Sequence, residues 1–114
     1  MAAAFVIGLA TVFKTVSIKR PGREEEEFTA EIRVRDLDEQ DALHQKQQNG
    51  EVKGFDHVKE DVVSLDGFAD KNGKPMEVTD EMKEKLLKDP YVLMGCVRAW
   101  NQVQQGMPEL TAKN

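Results

Sequence analysis

Glu27-Phe28-Thr29-Ala30-Glu31-Ile32-Arg33-Val34-Arg35 alternates apolar and polar side chains without a break. Successive side chains of a strand point to opposite faces, so Phe28, Ala30, Ile32 and Val34 form one apolar face. This is a strand half buried against something. Just upstream, residues 11–19 read Thr-Val-Phe-Lys-Thr-Val-Ser-Ile-Lys. Val12, Val16 and Ile18 share a face there, with Lys14 breaking the pattern. Arg20-Pro21-Gly22-Arg23 between the two is a turn signal, and the Glu24–Glu27 run keeps the tip in water. The two segments are expected to pair as an antiparallel hairpin. A lone hairpin is marginal in water, so helices or another chain must cover its apolar face.

Working outward, Asp36 can cap a helix whose Glu39 completes a capping box; that helix runs to about Asn49, with Gly50 as its stop. Its apolar content, Leu37, Ala42 and Leu43, is thin, which predicts a narrow contact stripe. Phe55, Val58, Val62 and Leu65 then recur at three- and four-residue steps, the spacing of a helix face, although Val62-Val63 also suits a strand. Asn72-Gly73 is a hairpin signal, and a short ribbon is expected from Phe68 to Val78. Thr79 caps a helix with Met82, Leu86 and Leu87 on one side. Pro90 ends that segment and opens the last helix, to about Gln105, where Val92, Leu93, Cys96, Val97, Trp100 and Val103 form the strongest amphipathic face. The fold class is therefore α+β: an N-terminal hairpin packed with three to four short helices, and a small hairpin turn near residues 68–78. Residues 11–105 read as one domain, 1–10 as a loose or strand-like start, and 106–114 as a disordered tail.

The chain has 114 residues, 39% of them hydrophobic, and a formal net charge of −5. That balance disfavours a nucleic-acid binder, which needs clustered Lys and Arg. No segment approaches the roughly 18 apolar residues of a membrane span. The apolar start lacks the basic residues that precede a signal's apolar run, so no cleaved leader is expected. The single cysteine, Cys96, allows neither an internal disulfide nor a thiolate metal cluster, and suits a reducing compartment. On an apolar helix face it reads as a small hydrophobe.

Candidate chemistry is sparse. His44 and His57 lack a second ligand at metal-binding spacing and are expected on the surface. Asp66, Asp70 and Asn72 suggest a calcium loop only superficially. Gly73 comes too early, and Pro75 interrupts the ligand run. Gly67, Asp70, Asn72, Gly73 and Pro75 read instead as a structural turn. No nucleophile elbow, phosphate loop or dinucleotide fingerprint occurs, so neither an enzyme nor a cofactor is expected.

The ordered pieces resemble a family of small phage and prophage tail assembly chaperones. In that family a Phe-Thr-Ala-Glu-Phe type segment precedes an acidic helix. A connector of the type Val-x-Gly-Trp-x-Gly-Val-x-Asp-x-x-Gly-x-Pro follows, then Leu-Leu before a proline break, then a helix with an aromatic. The chain offers Phe28-Thr29-Ala30-Glu31-Ile32, then Val63 to Pro75, Leu86-Leu87-Lys88-Asp89-Pro90-Tyr91 and Val97-Arg98-Ala99-Trp100. It departs at Ser64-Leu65, where the family more often has Gly-Trp. The resemblance spans about residues 11 to 105. It implies a non-enzymatic role in the bacterial host cytoplasm: keeping the tape-measure protein soluble while the tail tube polymerises. The alternatives are a minor structural component, for tail completion or tube capping, and a small adaptor. Met82, Leu86, Tyr91, Val97 and Trp100 are the expected client-facing or self-association residues, with no nucleic acid or membrane as partner.

Overall fold

The structure is a computed structural model that describes residues 2–5 and 10–106. Residues 2–5 and Ala10 belong to no helix or strand; the rest of the expected loose start, and the tail beyond Gly106, lie outside the described residues.

Strands β1 (Thr11–Ile18) and β2 (Glu26–Arg33) form the hairpin, antiparallel with Thr11 opposite Arg33 and Ile18 opposite Glu26. The inward face of β2 is Phe28, Ala30 and Ile32, all buried. Lys14 does not leave the inward face of β1 as its charge suggested. It is buried there beside Val16 and Ile18, because strand alternation fixes its direction whatever its chemistry. Helix α1 (Leu37–Gln48) begins with the full capping box: Glu39 N donates to Asp36 Oδ1 and Asp36 N to Glu39 Oε1. Only Leu43 of α1 is buried, so this helix rests on the body by a narrow line.

The expected helix face from Phe55 to Leu65 is corrected. Helix α2 (Asp56–Asp61) stops after six residues, and Val62–Asp66 is strand β3, antiparallel to β2. Ile32 faces Val62 while Glu31 faces Ser64, a bulge that leaves Val63 without an opposite residue. The extra residue turns Val62 and Leu65, three apart, both into the core, although a regular strand would send them to opposite faces. The sheet order is β1-β2-β3.

Gly67, at φ +88°, turns the chain from β3 into a two-stranded ribbon of β4 (Phe68–Ala69) and β5 (Pro75–Met76); an L side chain would be strained in that conformation. Helices α3 (Asp80–Leu86) and α4 (Pro90–Gln104) follow. Thr79 Oγ1 caps α3 by accepting from Met82 N, and Asp89 caps α4 ahead of Pro90. Val92, Cys96, Val97 and Ala99 of α4 lie on the sheet's inner face with Val58 of α2 and Leu87. A Cβ on Gly95 would stand 2.8 Å from Val16 Cγ1 and 2.9 Å from Ile18 Cγ2, so a glycine here sets how closely α4 approaches β1.

Candidate partner-binding cleft

The end of the sheet at Ile18 and Glu26, the ribbon, and the corner between α3 and α4 enclose an open cleft of about 710 Å³. Its floor is apolar. Ile18, Phe28 and Val92 come from the core, and Phe68 and Leu86 are half buried against it. The Phe28 and Phe68 rings stack with centroids 4.9 Å apart, tilted by 33°, which fixes the ribbon over the hairpin. Gly67, Asp70 and Gly73 form the ribbon-side wall.

The acids around this cleft are already engaged. Arg20 donates to Glu26 Oε1 from Nη2 at 2.6 Å and from Nε at 2.9 Å, and this hydrogen bonding holds the Glu26 carboxyl below the usual range. Asp70 Oδ1 accepts from the backbone N–H of Asn72 at 2.8 Å and of Lys74 at 3.0 Å, and Gly73 N donates to Asp70 O, so the acidic turn spends its carboxylate on its own backbone. Pro75 follows directly, in β5 opposite Ala69. Asp89 Oδ1 accepts from Tyr91 N at 2.8 Å at the start of α4. The result is an apolar floor inside a polar rim in which Glu26, Asp70 and Asp89 are already hydrogen-bonded.

The structure does not bring the five expected contact residues together on one surface. Leu86 lines the cleft. Tyr91 is exposed at the start of α4, beside Met94, Ile18, Lys19 and Arg98 in a shallower depression. Met82 is half buried on α3. Val97 is part of the core, so its side chain offers little to a partner. Trp100 is half buried, and its Nε1 donates to Asp61 Oδ2 at 2.8 Å. Phe68, Ile18 and Phe28 are the cleft residues that sequence spacing did not bring together. Only the alternation of the hairpin hinted that its inward residues would share a pocket.

Asp61, with no exposure at all, is the polar centre of the fold. Arg33 Nε reaches its Oδ1 at 3.1 Å, and Arg35 Nε reaches its Oδ2 at 2.6 Å. Gln104 Oε1 accepts from Arg35 N, Gln104 Nε2 donates to Arg33 O, and Gln40 Nε2 donates to Arg35 O. Every contact here ties one element to another, so this is a structural network. His57 does not lie on the surface as expected. It is buried, its ring edge-on to Trp100 with centroids 4.9 Å apart, and its Nδ1 has no hydrogen-bond partner. Desolvation, followed by the nearby Arg35 cation, lowers its pKa. Its place near the N-terminus of a six-residue helix that must pack on α4 turns it inward. Burial pushes the Cys96 thiol up to about 12, which makes it unreactive at neutral pH. Among the described residues no group of three or more His, Cys, Asp or Glu is placed to hold a metal ion, and no helix is long and apolar enough to cross a membrane.

No protein-family model, curated protein or solved structure matches this chain.

Proposed function

We propose that this protein is a non-enzymatic tail assembly chaperone, acting in the bacterial host cytoplasm on the tape-measure protein of a phage or prophage tail. One observation supports the reading beyond the motif resemblance itself. The connector that carries the resemblance, through Gly67, Asp70 and Gly73, walls an open cleft whose floor is apolar and whose far side carries Leu86. A helical client with one apolar stripe fits such a surface, laying the stripe on Phe68, Leu86 and Val92 while its flanking charges meet the rim. The acidic remainder of the chain keeps the complex in solution.

The first test is whether a long helical reading frame is encoded beside this gene, and the second is co-expression of its product with this protein. The chaperone keeps that product soluble and is missing from purified particles. Recovery in particles at fixed stoichiometry would establish the structural-component alternative instead. Absence of such a reading frame, or a client equally soluble without this protein, would end the proposal.

A further inference from the structure

The sheet has two outer edges, and they are finished differently. At β3 the Lys83 ammonium of α3 donates to Val62 O at 2.9 Å and to Val63 O at 3.4 Å, capping the start of that edge. At β1 the hydrogen-bond parity decides which groups face out. Val34 N donates to Ala10 O at 2.7 Å, one step beyond the Thr11–Arg33 pair. Residues of an antiparallel ladder alternate between bonded and non-bonded pairs. Val12, Lys14, Val16 and Ile18 therefore bond to β2, and Thr11, Phe13, Thr15 and Ser17 turn both backbone groups to the open side. The Ser17 carbonyl confirms the parity: Arg98 Nη2 reaches it from α4 at 3.4 Å. Arg98 thus closes the edge at Ser17. Among the described residues, nothing closes it at Thr11, Phe13 and Thr15.

Those three residues lack the usual protections of an edge strand. None is charged or proline, and the one lysine of β1 points inward. Phe13 stands 66% exposed at the centre of the open stretch. We propose that this edge pairs with β1 of a second copy, antiparallel, with the two-fold axis at Phe13. That register is the one that maps the three free residues onto themselves: Thr11 faces the partner's Thr15 and Phe13 faces the partner's Phe13. It places Lys14 opposite Val12, so no like charges meet, whereas a two-fold at Lys14 would set the two lysines face to face. A longer guest strand would have to displace Arg98 from Ser17. Pairing would add about six backbone hydrogen bonds and an aromatic contact on the outer face. An interface this small falls short of the roughly 1,000 Å² of stable complexes, so the dimer is weak and concentration-dependent. It lies at the other end of β1 from the cleft and does not depend on what the cleft binds.

Phe13→Cys tests the geometry directly. Residues of a bonded antiparallel pair have Cα atoms about 5.5 Å apart, inside the disulfide range, and the native Cys96 is buried. Oxidation should give a covalent dimer with Phe13→Cys, and monomer with Ser17→Cys, which lies away from the axis. Adding Thr15→Pro to Phe13→Cys removes an outward N–H from each copy, not a ladder bond. It should slow crosslinking roughly tenfold while the circular dichroism is retained. Sedimentation of the native chain should show dimer rising with concentration, and Phe13→Lys should abolish it. Equal crosslinking at both cysteine positions, an unchanged rate with Thr15→Pro, or a monomer throughout with no crosslink at Phe13→Cys would overturn the proposal. A monomer that instead takes up an extended peptide along β1 would do so too.

Discussion

The Trp100 indole donates to Asp61 Oδ2 at 2.8 Å, joining the middle of α4 to the last residue of α2. The same carboxylate holds Arg33 and Arg35, so one buried anion fixes the end of β2, the entry to α1 and two helices. Removing the anion strands two cations. Arg35 is largely buried and loses most, while Arg33 is partly solvated and loses less. Asp61→Ala should therefore destabilise the fold by about 3 kcal/mol, and Trp100→Phe, which removes one donor, by about 1 kcal/mol. Urea denaturation midpoints of the two variants check the order. Equal losses would mean that Trp100 contributes packing well beyond its one hydrogen bond.

Local signals in the chain identified α1 and α4 well. Asp36 with Glu39 is a cap signature and Pro90 a first-turn signal, both acting within one turn, and the structure uses them as such; the Asp89 cap ahead of Pro90 emerged only in the fold. β3 was harder to read for a definite reason. Its bulge lets Val62 and Leu65 share the core at a spacing of three, which in sequence looks like a helix stripe. The Asp61 network was not legible, because Asp61 lies 26 residues from Arg35 and 39 from Trp100. The candidate cleft was legible by half: its turn and Leu86 stand out in the chain, while Ile18 and Phe28 arrive only through the hairpin register.

Gly95→Ala sets two effects against each other. Alanine favours a helix interior over glycine by about 1 kcal/mol. The new Cβ would meet the methyls of Val16 and Ile18 at 2.8 and 2.9 Å, and those belong to stiff β-branched side chains on a packed sheet. Overpacking costs about 1–3 kcal/mol, so the net result should be a loss of roughly 1 kcal/mol. Pairing Gly95→Ala with Val16→Ala tests the cause: the combined loss should be smaller than the sum of the two single losses, read from thermal or urea unfolding.

His57 gives the fold an acid sensitivity above the range of the carboxylates. Its folded pKa is lowered from 6.5, so the folded state favours the neutral ring and the unfolded chain binds the proton more readily. The stability held by the neutral ring is complete above pH 6.5 and is lost as pH falls below that value through the folded pKa. Glu26 and Glu39, whose folded pKa values are lowered from 4.5, lose their contributions only in more acid solution. His57→Phe keeps an aromatic ring against Trp100 and cannot titrate. Its stability should stay flat between neutral pH and about pH 5, where the native chain declines. Parallel curves for the two chains across that interval would remove His57 as the source.

Ala69 tests the cleft without disturbing the core. It is exposed on the short ribbon strand β4, opposite Pro75, and it lines the cleft. Ala69→Arg should fold normally and lay a long charged side chain over the apolar floor. If a client's apolar stripe sits on Phe68 and Leu86, its affinity should fall at least about tenfold, equivalent to about 1.4 kcal/mol. Self-association through β1 should be unaffected, because Phe13 is at the opposite end of the strand from Ile18. Titration calorimetry with a client segment, alongside sedimentation of the same variant, separates the two surfaces. Unchanged client affinity with Ala69→Arg would move the binding surface elsewhere, with exposed Tyr91 and Met94 on α4 the next residues to substitute.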